Sequence, residues 1–190
     1  VHSENDLLPG LIVDKYADYL VLQFHTTGME AWKDEIVKAL KEIMKPTGIY
    51  ERSDVRTRGI EGAEKQVGLL YGKVPQKIKI SENGFKFWVD IMGGQKTGFF
   101  LDQRDKRQAL MKYADGKNLL NCFAYSGGFS VYALGAGAKH VVSVDASESA
   151  LELAVENVKL NKLDVKKCEF VCGDVKDYLY DEETKKKNFD

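Results

Sequence analysis

Asn118-Leu-Leu-Asn-Cys-Phe-Ala-Tyr-Ser-Gly-Gly-Phe-Ser-Val-Tyr-Ala133, followed by His140-Val-Val-Ser-Val-Asp145, decides the fold. An apolar run ends in a turn holding Gly127 and Gly128, a helix-like segment follows, and a second apolar run ends on a carboxylate. Strand, tight loop, helix, strand implies a parallel pair joined by a crossover. Ligands of such sheets sit beyond the C-terminal strand ends. The glycines permit positive φ and let a ligand approach the backbone. Asp145, about 20 residues after the loop, is placed to accept hydrogen bonds from two ribose hydroxyls. Asp174 follows Gly173 at the end of the next apolar run and is placed to accept from an adenine amine. Either aspartate alone also reads as a helix N-cap. With the loop, in this order, they read as half of a nucleoside-cofactor site.

Outward from that unit the α/β pattern continues. Helices are expected near 103–114, 128–135, 148–161 and 175–183, and strands at 118–123, 140–145 and 168–172. Ser147 is an N-cap candidate for the helix at 148–161, with Glu148 in its first turn. Upstream the texture changes. Leu11–Val13 and Tyr19–Phe24 read as a hairpin, and 29–45 as an amphipathic helix carrying Trp32, Ile36, Leu40 and Ile43, stopped by Pro46 and Gly48. The polar stretch 53–66 reads as a loop. Gln76–Ile80 and Phe85–Ile91 form a second hairpin around Asn83-Gly84. Two domains are expected: a small α+β domain over 1–91, and the N-terminal part of an α/β cofactor-binding domain over 92–190.

Composition narrows the function. The chain has 28 Lys plus Arg against 29 Asp plus Glu, so no global basic field argues for nucleic acid, although a local patch is allowed. Cys122, Cys168 and Cys172 form no Cys-x-x-Cys pair, which argues against zinc and for reduced thiols in a cytoplasmic protein. No apolar run approaches the ~20 residues of a membrane span, and no signal peptide opens the chain.

The turn Ala124-Tyr-Ser-Gly-Gly-Phe129 lacks the Gly-x-Gly-x-x-Gly spacing that cradles a pyrophosphate. S-adenosyl-L-methionine has a ribose, an adenine and a charged methionine tail but no phosphate, and it suits this loop better. An NAD-linked oxidoreductase half-domain remains the competing reading, and a non-catalytic RNA-binding module is a third.

Asn121-Cys-Phe-Ala-Tyr-Ser-Gly-Gly-Phe-Ser-Val131 and Gly93-Gly-Gln-Lys-Thr-Gly-Phe-Phe-Leu-Asp-Gln-Arg104 resemble the first cofactor motif, and the block upstream of it, of the bacterial 23S rRNA (cytosine-5) methyltransferase I family. Val144–Ser147, Ala154–Asn161, Phe170–Asp174 and Leu8–Asp14 match in order as well. The resemblance implies a Rossmann-like class I methyltransferase half-domain, with strands 3-2-1 of the sheet present. It also implies a cytoplasmic enzyme acting on large-subunit ribosomal RNA. Lys96, Thr97, Phe100, Asp102 and Arg104 would lie over the methionine end of the cofactor. Ala124, Tyr125, Ser126, Gly127 and Gly128 would form the turn beneath it, with Asp145 on the ribose and Asp174 on the adenine. The bland alternative for Arg104 and Arg107 is an exposed helix face paired with Asp102 or Asp105, and for one of Phe99 and Phe100 it is core packing.

The family's Asp-Pro-Pro motif and nucleophilic cysteine would follow Phe189-Asp190, and its RNA-binding PUA domain would precede Val1. The chain is therefore expected to be a fragment that binds cofactor without catalysing transfer, with no catalytic residue of its own. Cys122 is expected to be structural. Leu119, Leu120 and Phe123 are expected along an unpaired apolar edge, which favours self-association, including a homodimer. Arg52, Arg56, Arg58 and Lys65 read either as an RNA-contacting loop with Tyr50 stacking on a base, or as a solvated loop paired with Glu51, Asp54, Glu61 and Glu64.

Overall fold

The structure is a computed structural model that describes residues 1–60, 62–181 and 183–190. It divides into two compact units, Val1–Lys79 with Val89–Phe99, and Ile80–Trp88 with Phe100–Asp190. The division differs from a single cut after residue 91. The tip of the second hairpin belongs to the second unit, and the strand that returns from it continues into the first.

The first unit contains β1 (Leu11–Tyr16), β2 (Tyr19–Phe24), α1 (Thr27–Glu30), α2 (Lys33–Met44), β3 (Gly48–Ser53), α3 (Thr57–Ile60) and β4 (Gln66–Gly72). The strands form one sheet in the order β1-β2-β3-β4. β2 and β3 are parallel, and α1 and α2 supply the crossover this requires. Met29, Ile36, Val37 and Leu40 pack on Leu11, Leu20, Leu22, Phe24 and Ile49. The expected single helix over 29–45 is two helices. Thr26 caps the first, and Trp32 stands at the N-cap of the second. Trp32 and Ile43 lie outside the packed stripe, 64% and 75% exposed.

The segment expected to be a loop over 53–66 runs into β4, a strand absent from the sequence reading. Its alternation is broken at Leu69-Leu70, where the register against β3 shifts and Leu70 turns to the helix-covered core. Two guanidinium groups, one in this segment and one at the end of β3 before it, are buried. Arg58 is fully buried, donating to the Glu64 carbonyl, the Phe24 carbonyl and Glu30 Oε2, each at 2.7 Å. Arg52 donates to the carbonyls of Ile91 and Gly94 and pairs with Asp54. These two arginines are structural and do not belong to a solvated or RNA-facing loop, because buried carbonyls and carboxylates need donors. Glu51 pairs with Lys33, and Glu61 lies outside the described residues.

The chain crosses between the units on a hairpin, β5 (Lys77–Glu82) and β6 (Phe85–Asp90), turned at Asn83 and Gly84, both at positive φ. The second unit continues with α4 (Arg104–Ala114), β7 (Asn118–Cys122), α5 (Gly128–Gly135), β8 (His140–Asp145), α6 (Glu148–Leu160), β9 (Cys168–Cys172) and α7 (Val175–Tyr180). The sheet runs β7-β8-β9 and is wholly parallel. Val142, Val144 and Val175 form a core cluster with Leu120, Cys122, Val171, Tyr178 and Phe189 against it. Glu82, at the hairpin tip, receives both Nε and Nη2 of Arg107 at 2.8 Å and the Tyr132 hydroxyl at 2.9 Å. Arg107 is thus buried and paired with Glu82, and is not on an exposed face. Burial and the Glu82 carboxylate push the Tyr132 hydroxyl up to about 12.

β7 lies at the sheet edge, as its place in the sequence suggested, but it is not bare along its whole length. The Asp190 backbone N–H donates to the Asn118 carbonyl, and the Asp190 carboxylate accepts the Asn118 N–H, both at 2.9 Å. Phe123 is not part of the strand edge: it has left the strand at φ +56° and is 76% exposed.

Removing the buried Arg58 guanidinium strands two carbonyls and a carboxylate. Arg58→Ala should lower unfolding stability by about 3 kcal/mol, read as a shifted urea midpoint at constant m-value; a change within about 0.5 kcal/mol, the range of ordinary surface substitutions, would contradict this role.

Candidate active site

The candidate site lies at the C-terminal end of β7-β8-β9, where the sheet hydrogen bonding runs on into the loops. Ala124 N–H donates to the Val144 carbonyl at 2.9 Å, and Gly173 N–H to the Asp145 carbonyl at 3.0 Å. The Asp145 carboxylate is 7% exposed and already engaged on both oxygens. Oδ2 accepts the Tyr125 N–H at 2.8 Å and Oδ1 the Ser147 N–H at 2.9 Å. A carboxylate has about four lone-pair positions, so capacity remains on both oxygens for ligand hydroxyls.

The loop is strained. Phe123, Tyr125 and Gly127 alternate at φ +56°, +47° and +73°. Left-handed backbone costs roughly 1–2 kcal/mol for each non-glycine residue. A hydrogen bond to an ionised acceptor contributes about 1.5–3 kcal/mol, so Asp145 can offset the strain at Tyr125. Gly127 is required twice over: its φ is positive, and a Cβ there would stand 2.7 Å from the Ala154 Cβ. Gly128 opens α5. From α6, fully buried Asn157 donates to the Ser126 carbonyl at 3.0 Å and accepts the Trp88 N–H at 2.7 Å. Asn157 thereby fixes the underside of the loop, a role the residue pattern did not signal. Ser126 Oγ is the one buried side-chain oxygen or nitrogen without a partner among the described residues.

The other expected site residues divide. Ala124 to Gly128 and Asp145 come together. Asp174 stands at the end of β9, exposed, with Oδ1 capping α7 through the N–H groups of Lys176 and Asp177. The N-cap alternative therefore holds for Asp174, while Ser147, not Asp145, caps α6. Phe100 meets the Tyr125 ring edge-on at 5.5 Å. Asp102 accepts from Gln103, and exposed Arg104 pairs with Asp105, matching its bland alternative. Lys96 and Thr97 belong to the first unit. There Thr97 is buried, and its hydroxyl is shared between Tyr16 and Asp14. Phe99 is buried in that unit with its backbone on the Tyr16 hydroxyl, whereas Phe100 is only partly buried. Phe123, which the sequence placed in the strand, presents an exposed ring beside the loop.

A ribose, an adenine and an onium centre suit these groups. The carboxylate of Asp145 takes hydroxyls, the aromatic rings take a flat heterocycle, and two aspartates favour a cation over a pyrophosphate. Two of the three thiols are disfavoured as nucleophiles. Burial raises the pKa of Cys122, and burial pushes Cys168 up to about 11. Among the described residues no group of three or more His, Cys, Asp or Glu side chains is arranged to hold a metal, and no helix is long and apolar enough to cross a membrane.

Residues 60–183 match the family model of S-adenosylmethionine-dependent methyltransferases. The ribosomal RNA large subunit methyltransferase I of Tolumonas auensis is 50% identical over 192 residues, which is 100% of this chain and 48% of that protein. The chain thus spans about half the length of the curated relatives it matches. A solved Streptococcus mutans protein described as a SAM-dependent methyltransferase superposes with TM-score 0.82 at 32% identity, covering 94% of this chain and 46% of the other. Methanocaldococcus jannaschii Trm5, solved with adenosine, superposes with TM-score 0.70 at 26% identity, covering 87% of this chain and 48% of that one.

Iodoacetamide at pH 8 should label exposed Cys172 and spare Cys168 until the protein is unfolded, because only the thiolate reacts and the buried thiol stays protonated. Mass spectrometry of the labelled peptides measures this; equal labelling of the two in folded protein would refute the assignment.

Proposed function

We propose that this chain, which belongs to the S-adenosylmethionine-dependent methyltransferase family, is the cofactor-binding part of an enzyme that methylates C5 of a cytosine in large-subunit ribosomal RNA. The observation that carries the cofactor reading is the Asp145 carboxylate. It is buried at the strand end, bonded to the loop it supports, and still able to accept. The bound cofactor supplies a methyl group on a sulfonium, activated towards nucleophiles.

In this reading Asp145 orients the ribose through its hydroxyls, and Asp174 takes the adenine amine on the oxygen that does not cap α7. Ala124 to Gly128 form the floor, with Tyr125 and Phe123 lending aromatic surface. The Ser126 hydroxyl, lacking a protein partner, is assigned a hydrogen bond within the loaded site. Phe100, Asp102 and Arg104 border the methionine end in this reading. Thr97 acts indirectly in this scheme, by holding its segment on Tyr16 and Asp14.

Cytosine C5 requires activation. A thiolate adds to C6, the electron-rich C5 takes the methyl group, and a base then removes the C5 proton so that the thiolate leaves. Burial raises the pKa of Cys122 and Cys168, which disfavours the thiolate that step needs, and Cys172 stands at the end of β9 with its Sγ on the Ala146 carbonyl. The reading therefore assigns the nucleophile to the half of the relatives' length that this chain does not span. Methyl transfer needs the longer protein, and cofactor binding does not.

Calorimetric titration tests the cofactor half. S-adenosylmethionine should bind saturably, Asp145→Ala should weaken it at least about tenfold, as losing bonds to an ionised acceptor implies, and NAD should give no binding heat. Saturable NAD binding, or an Asp145→Ala affinity equal to wild type, would overturn the assignment.

A further inference from the structure

We infer that Asn157 is a positioning residue for the cofactor, acting through Ser126, and that the same side chain ties the cofactor loop to the hairpin; the inference rests on the S-adenosylmethionine reading above. The residues concerned all belong to the second unit. β6 pairs with β5 along one edge, and its other edge meets α6. Two asparagines about one helical turn apart stand there in place of a neighbouring strand. Asn157 Oδ1 accepts the Trp88 N–H at 2.7 Å, and its Nδ2 donates to the Trp88 carbonyl at 3.3 Å. Asn161 Oδ1 accepts the Lys86 N–H at 2.8 Å, and its Nδ2 donates to the Lys86 carbonyl at 2.7 Å. The spacings match, because one step of i to i+4 on a helix rises about 6 Å and one step of i to i+2 on a strand about 6.6 Å. A primary amide offers a donor and an acceptor together, as a peptide group does. The pair thereby satisfies a strand edge that would otherwise stand open.

The two amides differ in their second proton. Asn161 donates it to the Asn157 carbonyl, within α6, at 2.8 Å. Asn157 donates it to the Ser126 carbonyl, in the cofactor loop, at 3.0 Å. The peptide that follows Ser126 is then held at both ends, because the Gly127 N–H donates to the Ala124 carbonyl at 2.9 Å. Gly127 also sits close on Ala154, about one turn before Asn157 on α6. Among the described residues, Ser126 Oγ is the buried side-chain atom left without a partner. A ligand hydrogen bond satisfies that oxygen, and Asn157 fixes the backbone that aims it. The clamps on Lys86 and Trp88 are alike, and the bond to the loop distinguishes Asn157 from its neighbour.

The test titrates the full-length protein with S-adenosylmethionine by calorimetry and follows its unfolding in urea. Asn157→Ala and Asn161→Ala should both lower the urea midpoint, since each releases part of β6. Asn157→Ala should also weaken cofactor binding about fivefold, the net contribution of one hydrogen bond, while Asn161→Ala binds as wild type. In a Ser126→Ala background the Asn157→Ala loss should shrink, because the hydroxyl that Asn157 aims is gone. In wild type, the side-chain amide resonances of Asn157 should move on cofactor addition and those of Asn161 should stay. If wild type binds while Asn157→Ala binds equally well, or both asparagine variants weaken binding alike, or the Asn157 and Ser126 losses add in full, Asn157 is a clamp only and the cofactor reading stands. Should Asn157→Ala fail to fold, unmoved Asn157 resonances in wild type overturn the inference. If wild type does not bind S-adenosylmethionine, the cofactor reading falls and the inference with it.

Discussion

The Asp145 carboxylate is the interaction on which the loop at the strand ends of the second unit depends. Its two oxygens hold the N–H groups of Tyr125 and Ser147, tying the loop after β7 and the start of α6 to the end of β8. That anchor helps offset a left-handed tyrosine between a left-handed phenylalanine and a glycine. The same carboxylate keeps acceptor capacity for a ligand. One group thus holds the loop and, in the proposed function, also meets the ligand, so the proposed site coincides with a strained one.

Buried polar groups do similar work elsewhere. Arg58 satisfies carbonyls from two segments and a helix carboxylate, and Arg52 secures the strand-to-loop segment at Ile91 and Gly94. In the second unit Glu82 gathers Arg107 and Tyr132, and Asn157 joins the loop to the hairpin tip through both ends of its amide. Each is paired in the way buried polar groups must be. Each fixes irregular chain that hydrophobic burial alone does not orient. The apolar clusters set which faces pack, and these contacts set where the loops go.

Legibility in the sequence followed the strength of local pattern. The β7 to β9 unit was readable because its strands are continuous apolar runs and its loop carries paired glycines, and the placement of Asp145 beside the turn at 124–128 was readable for the same reason. β4 was not readable: an edge strand exposes Val67 and Leu69, and a register shift at Leu70 breaks the alternation. The arginines at 52 and 58 sat in a polar stretch, and nothing local distinguishes a buried guanidinium from a solvated one. Asn157 gave no signal because its two partners, Ser126 and Trp88, are distant in sequence. Phe123 looked like strand because apolar residues precede it, and only the backbone turn puts its ring outside. Asp174 shows the limit of motif reading, since the same side chain serves as a helix cap and as a ligand candidate.

Amide hydrogen exchange at Tyr125 and Ser147 tests most directly whether Asp145 builds the cofactor loop before the cofactor arrives. Both amides should be protected in ligand-free protein and lose protection in Asp145→Ala, with the β7 and β8 amides still protected. Fast exchange at Tyr125 until S-adenosylmethionine is added would contradict it, because the loop would then be ordered by the ligand and not by the carboxylate.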